Sequence, residues 1–251
     1  MALDRAVQLA HAEGASPPTL RLYGWSRPTL TLGRFQALEG VDLQACASEG
    51  VDVVRRFTGG RAVLHDHEVT YAIVAGVADG VPRGTSASYR HLCGALVSAY
   101  AALGVPAELT ARHRGSRDSA ACYLHATSAD VSLGARKLSG SAQVWHRQTV
   151  LQHGSFVITR DVPREGRLFG LDTADEEAFG TTTATIEDAL GEAPTVSEVR
   201  DALIRGVATS LDVVLVAADY SAVEVERARG LLETVQVLGE RDPGPAQAAS
   251  G

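Results

Sequence analysis

The segment ACYLHATSADVSLGARKLSGSAQ, residues 121–143, holds one cysteine and, fifteen positions later, one lysine. Cys122 sits among small and apolar neighbours outside any amphipathic helical pattern. Lys137 is the only lysine of the chain, against 22 arginines. A lone lysine in a Gly/Ser-rich segment marks a position where arginine does not serve, because a lysine can give up its proton and an arginine in practice cannot. An ammonium beside a thiol lowers the thiol pKa and raises the fraction of nucleophilic thiolate. The pair therefore reads as an activated thiol, with a buried inert cysteine and a surface charge as the plain alternative.

A second cluster is RRFTGGRAVLHDHEVTY, residues 55–71. Its adjacent glycines, Gly59 and Gly60, can bring backbone N–H groups close to a ligand or simply make a hairpin turn. Arg56 and Arg61 flank them, and the Gly-x4-Gly-Lys-Ser/Thr phosphate loop is absent. His65 and His67 stand two apart, so a strand here places both on one face. That spacing suits a metal, but no third and fourth ligand is apparent, and the metal reading is the lesser one. In LQHGSF, residues 151–156, His153 either lines a pocket or is a satisfied core histidine beside Gly154.

The elements that must position these groups follow from periodicity. Residues 3–12 read as a helix ended by SPPT, and TLRLYGW and PTLTLGRF alternate apolar with polar as half-buried antiparallel strands. A short helix spans 42–49, then come the strand VDVVRRF, the Gly-Gly turn and a strand from Val69 to Ala75. SYRHLCGALVSAYAALG repeats apolar residues every three to four positions up to Gly104, a C-cap glycine, which makes Cys93 a core thiol. Cys46, in the shorter helix, reads the same way. Residues 120–158 are strand-like, with turns near Gly134 and 146–148. Residues 159–194 show little periodicity and read as a long surface connection with short helices. Capping boxes at Thr195/Glu198 and Ser221/Glu224 open the last helices. The fold class is α+β, helices on a mostly antiparallel sheet, with one domain over 1–239 and a disordered tail over 240–251.

Composition narrows the function. Three cysteines without CxxC spacing argue against a disulfide framework and a Cys-rich zinc site, and fit a reducing cytoplasm. A net charge of −7 disfavours nucleic-acid binding, though Arg55–Arg56 and Arg112, Arg114 and Arg117 offer local patches for an acidic partner. No apolar run has the length of a membrane helix, and the N-terminus lacks the apolar core of a signal peptide.

Taken in order, PPTLRLYGW…PTLTLGRFQ, VRRFTGGRAVLHDHEVTY, ACYLHATSADVSLGARKLSGSAQ and LQHGSF resemble the biotin/lipoate protein ligase superfamily over roughly residues 1–215. Within it the chain is most similar to the cysteine-dependent octanoyltransferases of lipoate assembly (LipM-type). The resemblance implies transfer of an octanoyl group from acyl carrier protein onto Cys122. The group then passes to a lysine of a lipoyl domain, usually the glycine cleavage H protein. No cofactor, nucleic acid or membrane is involved. It implies Cys122 and Lys137 as the catalytic pair. The substrate site it implies takes in Arg56, Gly59, Gly60, Arg61, His65, Gly140, Ser141, His153 and Gly154. Backbone N–H groups near Gly140–Ser141 or the GGR turn are placed to hold an oxyanion. Aliphatic groups of GRAVL and LSGSAQV would wall the slot for the acyl chain.

The competing readings are an octanoyl amidotransferase drawing on H protein, an ATP-dependent lipoate–protein ligase, and a non-catalytic acyl- or lipoyl-domain-binding module. Against the ligase stand Arg61 in place of a third glycine and little sequence after residue 215 for a further domain. Biotin ligation is disfavoured by the motif order.

Overall fold

The computed structural model describes residues 1–110, 130–232 and 238. Helix α1 (Ala2–Ala12) leads into strand β1 (Thr19–Tyr23), β2 (Thr29–Leu32), α2 (Leu43–Ser48), β3 (Asp52–Arg55), β4 (Val63–His65) and β5 (Glu68–Gly76). Helix α3 (Thr85–Ala102) precedes β6 (Glu108–Leu109), then β7 (Val131–Leu133), β8 (Arg136–Ser139), β9 (Ser141–His146) and β10 (Thr149–Val157). Helices α4 (Val162–Leu168), α5 (Thr173–Thr182), α6 (Ile186–Leu190), α7 (Val196–Leu211) and α8 (Ala222–Leu232) follow. No helix among the described residues is long and apolar enough to cross a membrane.

The largest sheet has the antiparallel order β1-β5-β10-β9. All nine residues of β5 are buried, which explains the nearly unbroken apolar run VTYAIVAG: helices cover both faces. On one side Val69, Tyr71 and Ile73 pack with Leu92 and Leu96 of α3 and Val199 and Leu203 of α7. On the other, Val74 and Leu151 meet Val7 of α1. Helices α3 and α7 lie close because Gly206 faces the Ala99 backbone, with no room for a side chain.

A second sheet, β3-β2-β4, pairs β2 parallel to β3 and antiparallel to β4. Here the half-buried antiparallel expectation holds for β1 and fails for β2, whose four residues are all buried. Leu30 and Leu32 enter an apolar cluster with Val53 and Phe179, while Thr31 turns its hydroxyl into a buried polar network. The alternation was real, but both faces are covered. A third sheet, β6-β7-β8, is antiparallel and carries Lys137 opposite Ser132.

Residues 159–194 form the expected short helices but are not a surface connection. Three short helices there bury Leu168, Phe169, Phe179 and Ile186. With five to ten residues each they make too few turns to display a period. Their N-caps are side chains the sequence analysis did not single out: Asp161, Asp172 and Thr185 each accept a backbone N–H three residues on. Both expected capping boxes form, at Thr195/Glu198 and Ser221/Glu224. Gly104, just past α3, has φ +84°, the left-handed conformation a C-cap glycine supplies. The tail over 240–251 lies outside the described residues.

Candidate active site

A pocket of about 470 Å³, counted to its open mouth, lies where the large sheet meets the second sheet beside the start of α1. The GGR segment contributes Arg56 and Gly60, and β4 contributes His65. Gly140 and Ser141 come from the β8–β9 junction, His153 and Gly154 from β10. Three motifs distant in sequence thus converge on one cavity.

Arg56 organises the turn from inside. Its side chain is 5 % exposed and donates to the Thr31 carbonyl (2.9 Å), the Gly59 carbonyl (2.8 Å) and the Arg61 carbonyl (2.7 Å). These bonds fix the backbone of Gly59, Gly60 and Arg61, and Gly60 has φ +92°. A Cβ on Gly60 would stand 2.8 Å from the guanidinium, and a Cβ on Gly33 would overlap the Gly60 carbonyl oxygen. Gly33 is therefore a constraint on the turn that periodicity did not reveal. Gly154 plays the same part opposite, with Gly140 O and Tyr71 Cε1 where its side chain would lie.

His65 and His67 do not share a face. Strand β4 ends at His65, whose ring is buried, stacked 4.5 Å from Trp25, and bonded to Glu68 (2.7 Å) and Thr31 (3.0 Å). The His67 side chain is 70 % exposed. The reversal at residues 66–67 breaks the strand that the paired-histidine reading requires, and the described residues contain no group of three metal-ligating side chains. Burial opposes ionisation of Glu68. His65 nonetheless holds its carboxyl below the ordinary value, together with hydrogen bonds from Thr70 and Ser155. Trp25 donates to Thr70 Oγ1 at 2.8 Å, closing this wall.

His153 joins both of its sequence readings: it lines the pocket and is satisfied, with Nε2 2.7 Å from the Thr58 hydroxyl. Burial, reinforced by the charge of Arg56 and opposed by Asp4, lowers its pKa to about 3, so at neutral pH the ring is uncharged. The wall it gives the pocket is accordingly neutral.

Lys137 sits on β8, three residues before Gly140, and is 4 % exposed. Its Nζ lies 2.9 Å from Asp130 Oδ2, both side chains being almost fully buried. Asp130 escaped the sequence reading, although a lone buried cation calls for a nearby carboxylate. Cys122 lies outside the described residues, as do Arg112, Arg114 and Arg117. Cys46 and Cys93 are core thiols: burial pushes their pKa values up to about 11 and about 12. Tyr23, Trp25 and Thr31 also line the pocket. The quoted motifs contained them, but nothing in their spacing singled them out.

The model of the lipoyl protein ligase A/B catalytic domain matches residues 1–208. The chain belongs to that family. Among its relatives is the octanoyltransferase LipM of Symbiobacterium thermophilum, 36 % identical over 93 % of this chain and 89 % of that protein. The octanoyltransferase LipM of Kyrpidia tusciae is 37 % identical over 92 % and 89 %. That of Moorella thermoacetica is 47 % identical over 63 % and 60 %. Among solved structures, lipoate-protein ligase A bound with ATP superposes with a TM-score of 0.76 at 25 % identity, covering 92 % of this chain and 87 % of that one. A lipoate protein ligase from T. acidophilum with bound lipoic acid also gives 0.76, at 24 % identity over 93 % and 88 %, and bears on the fold alone. The expected superfamily and its α+β catalytic fold are thus established.

Proposed function

We propose that this chain is a cytoplasmic octanoyltransferase of lipoate assembly. It takes an octanoyl group from acyl carrier protein onto Cys122 and delivers it to a lipoyl-domain lysine. The observation that carries the reading is the likeness to LipM octanoyltransferases along nearly the whole chain. The pocket supports it: Trp25, Val63, Ala142, neutral His153 and the glycine backbones of the GGR, SGS and HGS segments suit an apolar acyl chain, and the guanidinium of Arg56 in the same lining is engaged by backbone carbonyls.

In this mechanism the resting pair is Cys122 thiolate and Lys137 ammonium, the latter held charged by Asp130. The thiolate attacks the thioester carbonyl, the carrier thiolate departs, and Lys137 gives it a proton. Neutral Lys137 then takes a proton from the incoming lysine ammonium. The resulting amine attacks the Cys122 thioester, its second proton leaves to solvent, and Cys122 thiolate is regenerated as the amide forms. Thioester energy suffices, so ATP has no role. Backbone N–H groups at Gly140–Ser141 or the GGR turn are the candidate oxyanion donors.

The ligase reading draws on the superposition with an ATP-bound ligase, and length does not separate the two, since this chain covers 87 % of that structure. Intact-mass spectrometry after mixing the protein with octanoyl-acyl carrier protein, without ATP, separates them. The expected result is a hydroxylamine-labile octanoyl adduct on Cys122, lost in Cys122→Ser. Loading only from octanoylated H protein would make the chain an amidotransferase. Adenylate formation from ATP and lipoate, with no adduct, would make it a ligase.

A further inference from the structure

Beside the pocket mouth the charge of the surface runs against that of the whole molecule. The chain carries −7 overall, yet Arg5, Arg34 and Arg55 cluster around the GGR turn. Their connection to the pocket can be traced bond by bond. Arg34 N–H donates to the Thr58 carbonyl at 2.8 Å, and the Gly33 backbone abuts Gly60, a pocket residue. The Arg5 guanidinium lies 5.7 Å from the Phe57 ring centre, and Phe57 stacks on His153 in the pocket wall.

Among the described residues, none of the groups these arginines engage carries a negative charge. Arg5 donates to Gln8 Oε1, Arg55 to the carbonyls of Gly33 and Gln36, and Arg34 lies over the ring of Phe35. The charge of Arg34 acts on Arg5, which burial and that neighbour hold below its ordinary pKa. The sequence motif Arg55–Arg56 is thereby resolved into different tasks. Arg56 is buried in the turn, Arg55 ties down the 33–36 loop, and Arg34 faces solvent. At the tip of the same loop Phe35 is 86 % exposed, a large aromatic surface presented to water between cations. Aromatic and arginine side chains together are the composition of interface hot spots.

We infer that the Arg5–Arg34–Phe35–Arg55 surface docks the acceptor, an acidic protein domain that presents an exposed lysine. The inference rests on the transferase reading above for the identity of that lysine. Geometry favours the acceptor over the donor. A lysine side chain is only four methylenes long, so the domain bearing it must sit on the rim of the pocket, and this surface is continuous with the rim. Charge complementarity at a rim acts mainly on association and its salt dependence.

The test uses the full chain with a purified unacylated H protein as probe. Arg34→Glu and Phe35→Ser are compared with wild type and with Arg205→Glu, an exposed arginine on α7. Direct binding of the probe is measured by calorimetry, which needs no turnover. Each rim variant should weaken binding by about tenfold. Arg34→Glu should also flatten its salt dependence, while Arg205→Glu leaves both unchanged. In assays, the acceptor KM should rise in the rim variants with loading from octanoyl-acyl carrier protein unaltered. Unchanged probe binding in both rim variants overturns the inference. So does a rise in the donor KM alone, which would assign the surface to the carrier protein. Failure of wild type to load any acyl group would instead strike the transferase reading, and the calorimetric comparison would still decide the docking surface.

Discussion

His153 offers a measurement of the pocket's polarity from the pH dependence of folding. Its folded pKa is about 3, against an ordinary value of 6.5, because burial disfavours the charged ring. A depressed histidine contributes stability that is present above pH 6.5 and is lost as pH falls toward 3, since only the unfolded chain takes up the proton. Between pH 7 and pH 5 the unfolded histidine goes from mostly neutral to almost wholly protonated while the folded one stays neutral. That difference is worth about 2 kcal/mol. In His153→Gln the amide still reaches toward Thr58 and does not titrate. Urea unfolding of both proteins at the two pH values gives a double difference in which every other titrating group cancels. The wild type should lose about 2 kcal/mol more than the variant over this interval. Equal losses would mean that His153 takes up a proton in the folded state as readily as in water, and the neutral-wall argument for an acyl pocket would fall.

Other substitutions probe different parts of the same construction. Glu165 is buried against Arg160 (3.0 Å), and burial raises its pKa to about 7, so folding binds a proton there and stability declines from about pH 4.5 to 7; in Glu165→Gln this decline, worth about 3 kcal/mol, should vanish from the pH profile. Asp130→Asn removes the counter-charge of buried Lys137 and should cost up to about 3 kcal/mol in urea unfolding. The same change should slow alkylation of Cys122 at neutral pH, Cys46 and Cys93 being buried, and an unchanged rate would uncouple the ion pair from the nucleophile. Gly33→Ala must push the Gly60 carbonyl aside and should lose about 1–3 kcal/mol of stability together with transferase activity; wild-type behaviour would mean that the turn tolerates displacement.

What was legible in the sequence was mostly what repeats locally. Helix α3 declared itself by five turns of apolar spacing and α7 by its capping box. The pocket was legible as motifs, because glycines with flanking arginines and histidines are rare chemistry. It was not legible as a wall: Thr31 and Trp25 enter it through strand pairing and stacking between distant segments. The same cause misled the reading of His65 and His67, where a reversal within two residues decides which ring is buried. Asp130 was hidden because an ion pair across a β-bulge has no fixed spacing.

The burial of Lys137 has a consequence for an enzyme that acylates amines. A thioester held on its own cysteine is a hazard to every nearby ε-amino group, and an ordinary surface bristles with them. Here every other basic side chain of this kind is an arginine, whose guanidinium stays protonated and is a poor nucleophile. The one ε-amine is enclosed and engaged by Asp130. In the proposed mechanism Lys137 is therefore the one lysine of its own from which a loaded Cys122 has to be kept, and no lysine elsewhere in the chain competes with the partner for the acyl group.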